Sequence, residues 1–299
     1  MMKNFIKSLS LSLLIFCSIP NFAQEVEAIN TETYALYKPS NTEAVLVLFG
    51  GFGENAAGIE NEYPITDMAL SKNVAVAYLN YNRKIFLQEE EKAQLALMLL
   101  NLIAANNLPD DEVYIGGLSS GGAIALLIAD FLAENTSYTI APKGVFAVDS
   151  PVDLAAMYRI AESNVKRNFS PAAAGESAFM LQYFNAQLGN PDDTIEPYEN
   201  YSSFVYETGN YQNLKALKDT KIRLYTEPDK TWWKENMGID YEQMNAYHLK
   251  RLSELLTAEG FKDVEFITTE DKGYRADGSR NPHSWSIVDQ EDLLKWMLD

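Results

Sequence analysis

Cysteine, histidine and basic residues are all scarce in this chain of 299 residues. A single cysteine, Cys17, excludes an internal disulfide framework and a cysteine-based zinc site. Two histidines, His248 and His283, leave little room for a histidine-rich metal site. Lysine and arginine total 24 against 42 aspartates and glutamates, a net charge of −18. So acidic a chain has no electrostatic reason to bind nucleic acid or an anionic membrane surface.

The N-terminus has the pattern of an export signal. Lys3 and Lys7 precede the uncharged run Ser8–Ile19, which is too short to span a bilayer as a helix. The small residue Ala23 then offers a cleavage point before Gln24. We therefore predict a signal peptide over residues 1–23 and a periplasmic or extracellular mature protein.

Cys17 leaves an alternative open. A lipoprotein would be cleaved just before a lipid-bearing cysteine, but the bulky Phe16 stands where a small residue is usual. If cleavage follows Ala23 instead, Cys17 is removed with the peptide and the mature chain has no cysteine, which suits an oxidising compartment.

Short apolar runs alternate with helical stretches along the rest of the chain. The predicted strands are Ala44–Gly51, Val74–Asn82, Val113–Gly117, Gly144–Asp149, Ile222–Thr226 and Val264–Thr268. The predicted helices are Gln88–Asn106, Gly121–Leu132, Tyr241–Glu259 and Ile287–Leu298. Continuous apolar strands alternating with helices predict an α/β protein with a doubly wound, mostly parallel sheet.

The segment 151–219 interrupts this alternation. It has no clear apolar strand but is rich in tyrosine and phenylalanine. We interpret it as a mostly helical cap insertion that divides one domain, 24–299, into core halves 24–150 and 220–299. Alternatively, it is a long connection that packs its aromatic side chains into the core.

The motif with chemical content is Gly117-Leu118-Ser119-Ser120-Gly121. Gly-x-Ser-x-Gly alone is weak, but here an apolar strand precedes it and a helix follows it. Such a sharp strand-to-helix turn needs small neighbours, hence Gly117 and Gly121, and it presents the Ser119 hydroxyl above the sheet. An ordinary glycine-rich turn is the alternative interpretation.

A serine nucleophile needs a base and an acid that orients the base. His283 lies in a loop before the last helix, whereas His248 lies within a helix beside charged residues and is more simply a surface residue. Asp229 follows the strand Ile222–Thr226 and is our predicted acid, with Glu227 as its rival. The order Ser119, Asp229, His283 is the order of an α/β-hydrolase triad.

Two backbone N–H groups would complete the site as an oxyanion hole. One is that of Ser120, directly after the nucleophile. The other is expected from the glycine-rich loop after the first predicted strand, with Phe52 or Gly51 as its donor. A plain glycine-rich turn is again the alternative.

Together these features resemble the α/β-hydrolase superfamily of serine esterases, lipases and peptidases, over residues 44–299 except the insertion. The resemblance implies an eight-stranded, mostly parallel sheet and a Ser119–Asp229–His283 triad. It also implies hydrolysis of an ester, thioester or peptide. Many members have His-Gly before the oxyanion residue, where this chain has Phe49-Gly50.

Carboxylic esters are the first expected substrates and short peptides the second. Trp232 and Trp233, just past Asp229, either line a substrate pocket or pack in the core. No dinucleotide or phosphate-loop motif appears, so we expect no cofactor. The scarcity of cysteine and histidine leads us to expect no metal. A catalytically silent binding module for a peptide or glycan is the alternative from another functional class. The oligomeric state is not predicted.

Overall fold

A computed structural model describes residues 26–299, and only the backbone of Ala172. The predicted signal peptide and Cys17 lie outside the described residues. Across 26–299, every helix is too short or too polar to cross a bilayer.

The described chain forms eight strands and ten α-helices. The strands are β1 (Val26–Asn30), β2 (Tyr34–Pro39), β3 (Ala44–Phe49), β4 (Val74–Leu79), β5 (Val113–Leu118), β6 (Pro142–Val148), β7 (Lys221–Thr226) and β8 (Val264–Thr268). The helices are α1 (Ala56–Glu62), α2 (Thr66–Leu70), α3 (Glu89–Ala105), α4 (Ser120–Glu134), α5 (Leu154–Arg167), α6 (Pro171–Gln187), α7 (Glu196–Tyr201), α8 (Lys230–Met237), α9 (Asn245–Ala258) and α10 (Gln290–Leu298).

All eight strands form one sheet in the order β1-β2-β4-β3-β5-β6-β7-β8. The six strands from β4 to β8 pair in parallel, and β1 and β2 join as an antiparallel edge. The predicted eight-stranded, mostly parallel sheet is therefore confirmed. The edge strands escaped prediction because β1 is largely exposed and β2 only partly buried, so neither has a continuous apolar run.

Both faces of the sheet are buried, which explains the apolar runs. Along β3, Val45 and Val47 pack in a core with α3, α4 and α9, while Leu46 and Leu48 pack in a second core with α1, α2 and α10. Successive strand side chains point to opposite faces, so a strand covered on both sides is apolar at every position.

The segment 151–219 contains α5, α6, α7 and a short 3-10 segment at Gln212–Leu217, so the prediction that it is mostly helical is confirmed. Its aromatic side chains divide between two environments. Tyr158, Phe184 and Tyr198 are buried in the core, whereas Phe179 of α6 is exposed and contacts Phe52, just past the end of β3. The insertion therefore packs into the core and also reaches the carboxyl edge of the sheet.

The helix predicted over Tyr241–Glu259 is interrupted near its start. A 3-10 turn at Tyr241–Gln243 ends at Met244, whose backbone is extended, and α9 begins at Asn245. This break sets the direction of α9, and its first residue, Asn245, reaches the end of β6.

Candidate active site

Ser119 occupies the sharp turn between β5 and α4. Its backbone is in an unusual region for a non-glycine residue, with φ of 56° and ψ of −128°. A Cβ atom on Gly117 would lie 2.3 Å from the Gly121 carbonyl carbon, and one on Gly121 would lie 2.4 Å from the Phe49 and Gly50 carbonyl oxygens. Only glycine fits at either position, as the motif predicted. Ser119 N–H donates to Val148 O at 2.8 Å, which ties the turn to the end of β6.

His283 pairs with a carboxylate, but with a different one from that predicted. Its Nδ1 lies 2.6 Å from Oδ2 of Asp149, the residue directly after β6. Asp149 is almost fully buried, and its Oδ1 accepts a hydrogen bond of 2.7 Å from Thr226 Oγ1. Both carboxylate oxygens are thus engaged, which fixes the imidazole ring against the end of the sheet.

The prediction of Asp229, or Glu227, as the acid beside His283 was wrong. Both carboxylates bind Arg280, with Nη2 at 2.8 Å from Asp229 and 2.5 Å from Glu227. Asp229 also caps α8 by accepting from Trp232 N–H. Glu227 accepts from three donors in the following loop: Thr269 Oγ1 and the N–H groups of Lys272 and Gly273.

These contacts give Glu227 and Asp229 a structural role. Arg280 lies three residues before His283, and it also donates to Gly273 O at 2.6 Å. The Glu227–Arg280–Asp229 group therefore anchors the loop that carries His283, rather than the imidazole itself.

Ser119 and Asp149 are neighbours because their strands are. In the parallel pairing of β5 with β6, Leu118 is opposite Val148, so the two following residues meet at the carboxyl edge. Asp149 is held there by hydrogen bonds to Tyr225 O and from Asn245 Nδ2. Within residues 26–299 the Ser119 hydroxyl makes no hydrogen bond, to His283 or to any other group.

Of the proposed oxyanion donors, Phe52 and Ser120 remain available and Gly51 does not. In the described part of the chain, no acceptor bonds the backbone N–H of Phe52 or of Ser120, whereas Gly51 N–H donates to Glu54 Oε2 at 2.9 Å. A Cβ placed on Gly51 would lie 3.6 Å from Ser119 Cβ, so this loop adjoins the nucleophile. We keep Phe52 and Ser120 as the candidate pair.

Glu54 joins the oxyanion loop to the histidine loop, a link that the sequence did not indicate. The carboxylate that accepts from Gly51 N–H also accepts from Trp285 Nε1 at 3.3 Å, and Trp285 is fully buried two residues after His283. Burial raises the pKa of the Glu54 carboxyl, and these hydrogen bonds oppose that shift.

Of Trp232 and Trp233, for which a substrate pocket and the core were both open, Trp233 lies beside His283. Its ring lies 6.4 Å, centre to centre, from that of His283, and Trp232 packs edge-on against Trp233 at 5.1 Å. The prediction that His248 is a surface residue was wrong, because only 8% of it is exposed.

Comparisons with known proteins rest on structure alone. No protein-family model matches the chain, and no curated protein is significantly similar in sequence. The structure is similar to the Francisella virulence factor BioJ, with a TM-score of 0.57, 14% identity and coverage of 92% of this chain and 85% of that one. It is also similar to a Rhizomucor miehei esterase, with a TM-score of 0.54, 15% identity and coverage of 92% and 83%. The chain has the α/β-hydrolase fold.

In open α/β sheets, ligands generally bind outside the carboxyl ends of the strands, at the point where the order of the strands reverses direction. In this chain β3 lies between β4 and β5, so that reversal falls beside β3 and β5. The loop 50–54, Ser119 and Asp149 follow β3, β5 and β6, which are adjacent, so all three belong to that edge.

Asp149 was identifiable in principle. The predicted strand Gly144–Asp149 ends at this residue, and the carboxyl ends of adjacent parallel strands meet at one edge. What the sequence lacked was the order of the strands, which makes β6 the direct neighbour of the nucleophile strand.

Proposed function

We propose that this protein is an exported serine hydrolase that cleaves carboxylic esters through a covalent intermediate on Ser119. The observation that carries the proposal is the His283–Asp149 pair at one end of the sheet, beside a serine in a strained turn. That arrangement supplies nucleophile, base and acid in the chain order Ser, Asp, His.

The chemistry follows from the residue types. As Ser119 Oγ bonds to the acyl carbon, His283 takes the hydroxyl proton, and Asp149 stabilises the resulting imidazolium without itself being protonated. The negative oxygen of the tetrahedral intermediate is held by the N–H groups of Phe52 and Ser120. His283 then gives its proton to the leaving alcohol, and water releases the acid in the same way.

One feature supports esters as the substrates, and another supports a site that is enclosed by the insertion. The structures similar to this one include a fungal esterase, although likeness of fold alone does not carry substrate class. The contact of Phe179 with Phe52 supports α6 as part of a cap beside the oxyanion loop. Such a cap would exclude water from the reacting acyl group.

The deciding experiment is covalent labelling of the purified protein with a fluorophosphonate, followed by peptide mapping. We expect one adduct, on Ser119. It should be absent in Ser119→Ala and unchanged in Ser137→Ala, whose side chain is exposed. Ser119→Ala should also lower turnover of p-nitrophenyl acetate by roughly four to six orders of magnitude.

No adduct on a folded protein would refute an activated serine and favour the silent binding module. If labelling succeeds but short peptide amides are cleaved faster than esters, the peptidase alternative replaces the esterase.

Export is a separate part of the proposal. We expect the protein secreted from cells to begin at Gln24, as measured by intact mass. A lipid-modified N-terminus at Cys17, lost in Cys17→Ser, would establish the lipoprotein alternative instead.

A further inference from the structure

Thr226, the last residue of β7, binds the carboxylate oxygen of Asp149 that His283 does not use. Val148 of β6 is paired with Tyr225 of β7, so the residues that follow them, Asp149 and Thr226, lie side by side. The Thr226 hydroxyl donates to Asp149 Oδ1 at 2.7 Å, and His283 Nδ1 lies 2.6 Å from Oδ2. The strand after which we predicted the acid therefore reaches the site through its own last side chain.

The Thr226 hydroxyl has a single acceptor. Thr226 is fully buried, and within residues 26–299 Asp149 Oδ1 is the one group to which its side chain is hydrogen-bonded. If this hydroxyl accepted a hydrogen bond instead, its own proton would be buried without a partner, which is costly. Thr226 therefore acts as a donor, and the atom that faces it must be an acceptor.

Other groups fix the backbone of Asp149 but not its carboxylate. The Asp149 N–H donates to Tyr225 O at 2.8 Å, and the Asp149 carbonyl accepts from Asn245 Nδ2 at 2.7 Å. Neither contact sets the rotation about the Cβ–Cγ bond, which has broad preferences in aspartate. Among the described residues, that rotation is set by the hydrogen bond from Thr226 and by the pair with His283.

We infer that Thr226 is a positioning residue, which acts through Asp149 and keeps the proton of the His283 imidazole on Nδ1. Because the hydroxyl holds Oδ1, the carboxylate is turned so that Oδ2 accepts from Nδ1, and Nε2 stays free to take the proton of Ser119. The inference rests on the proposed hydrolase function, because it assigns Thr226 to the reaction at Ser119. It adds a fourth side chain on which the candidate triad depends.

The first test removes the hydroxyl and keeps the branched shape of the side chain. Thr226→Val should lower kcat for p-nitrophenyl acetate about tenfold with little change in KM, because a carboxylate that can rotate orients the imidazole less well. Thr226→Ser keeps the hydroxyl and should restore most of that loss. The matched control is Thr269→Val, which removes a hydroxyl bonded to the buried Glu227. Glu227 keeps its other donors, so kcat should be nearly unchanged.

The second test uses Asp149→Asn, in which a positioning role and a purely structural role predict opposite results. The Thr226 donor holds the amide oxygen and turns the NH₂ group toward His283, so the imidazole proton moves to Nε2 and proton transfer stops. Without the hydroxyl, each amide orientation leaves one group unpaired, so the two become similar in free energy. Thr226→Val should therefore raise kcat of Asp149→Asn about tenfold, whereas a purely structural loss would lower it further.

The outcomes separate this inference from the proposed function. If Ser119 is labelled but Thr226→Val leaves kcat of the wild type unchanged, or fails to raise that of Asp149→Asn, the inference is refuted and the serine hydrolase stands. If Ser119 is inert, the proposed function fails. NMR of ¹⁵N-histidine-labelled protein then decides the inference without turnover, since the chain has only two histidines.

The NMR measurement reports which ring nitrogen of His283 carries the proton. We expect Nδ1 in the wild type, Nε2 in Asp149→Asn, and a mixture of both in the double variant of Asp149→Asn with Thr226→Val. Identical spectra of the two asparagine variants would refute the inference whether or not Ser119 is active.

Discussion

Replacing Asp149 by asparagine gives the sharpest test of the candidate triad. In the wild-type protein, Asp149 Oδ2 lies 2.6 Å from His283 Nδ1, and Asp149 Oδ1 accepts a hydrogen bond of 2.7 Å from Thr226 Oγ1. Asparagine has one acceptor and one donor in place of two acceptors. Thr226 is fully buried, so its hydroxyl retains the asparagine oxygen and the amide NH₂ is turned toward His283.

That orientation places the imidazole proton on the wrong nitrogen. Nδ1 must accept from the amide, so Nε2 carries the proton and cannot take one from Ser119. We expect kcat for p-nitrophenyl acetate to fall by about 10⁴, which corresponds to a barrier increase of roughly 5.5 kcal/mol.

Asp229→Asn is the matched control. Asparagine still caps α8, and Arg280 keeps its contact with Glu227, so kcat should fall by less than about tenfold. Both variants are measured by initial rates, with circular dichroism to check folding. Near-normal activity in folded Asp149→Asn, together with a large loss in Asp229→Asn, would refute the assignment of the acid.

Three further changes test other parts of the structure. In urea titrations, Asp130→Asn should be more stable than wild type by roughly 2–4 kcal/mol at pH 8 but not at pH 4. Burial raises the pKa of Asp130 to about 7, so the free energy of unfolding of the wild type falls as the pH rises from about 4 to about 7. Gly121→Ala should lower the free energy of unfolding by about 3 kcal/mol, since its methyl group would meet the carbonyl of Gly50. Glu54→Ala should lower kcat by about 10- to 100-fold with little effect on KM, and Glu54→Gln by less, because Gly51 N–H loses its acceptor.

Each of these has a clear contrary result. A stability difference between Asp130→Asn and wild type that is independent of pH would contradict the raised pKa. Normal stability of Gly121→Ala would show that the turn can open to admit a methyl group. Unchanged kcat in Glu54→Ala would show that Glu54 does not position the oxyanion loop.

The sheet was readable from the sequence because of its burial. All six predicted strands exist. The central strands β3, β4 and β5 are buried at every position and so form continuous apolar runs, whereas the edge strand β8 is only partly buried. The antiparallel edge β1–β2 gave no such run, because its outer strand faces solvent. Helix bounds were less accurate near Met244, where an extended residue interrupts a sequence of good helix formers.

The site divides in the same way between local and non-local information. Ser119, Gly117 and Gly121 belong to one continuous turn, whose steric needs are written in adjacent residues. His283 was found by elimination, because only one other histidine exists. The acid depended on which strand neighbours β5 and on what Arg280 binds, and contacts between residues distant in sequence are not readable from local composition.

Backbone strain offers an independent argument for Asp149. Both Ser119 and Asp149 have positive φ, at 56° and 44°, directly after the adjacent strands β5 and β6. Such conformations cost on the order of 1–3 kcal/mol each and persist only where surrounding contacts hold them. Asp149 is held by Tyr225 O, Thr226 Oγ1 and Asn245 Nδ2, which contact three different groups of one buried residue. Two strained polar residues side by side at the carboxyl edge of the sheet are better explained by the shared chemical task proposed above than by the needs of two separate loops.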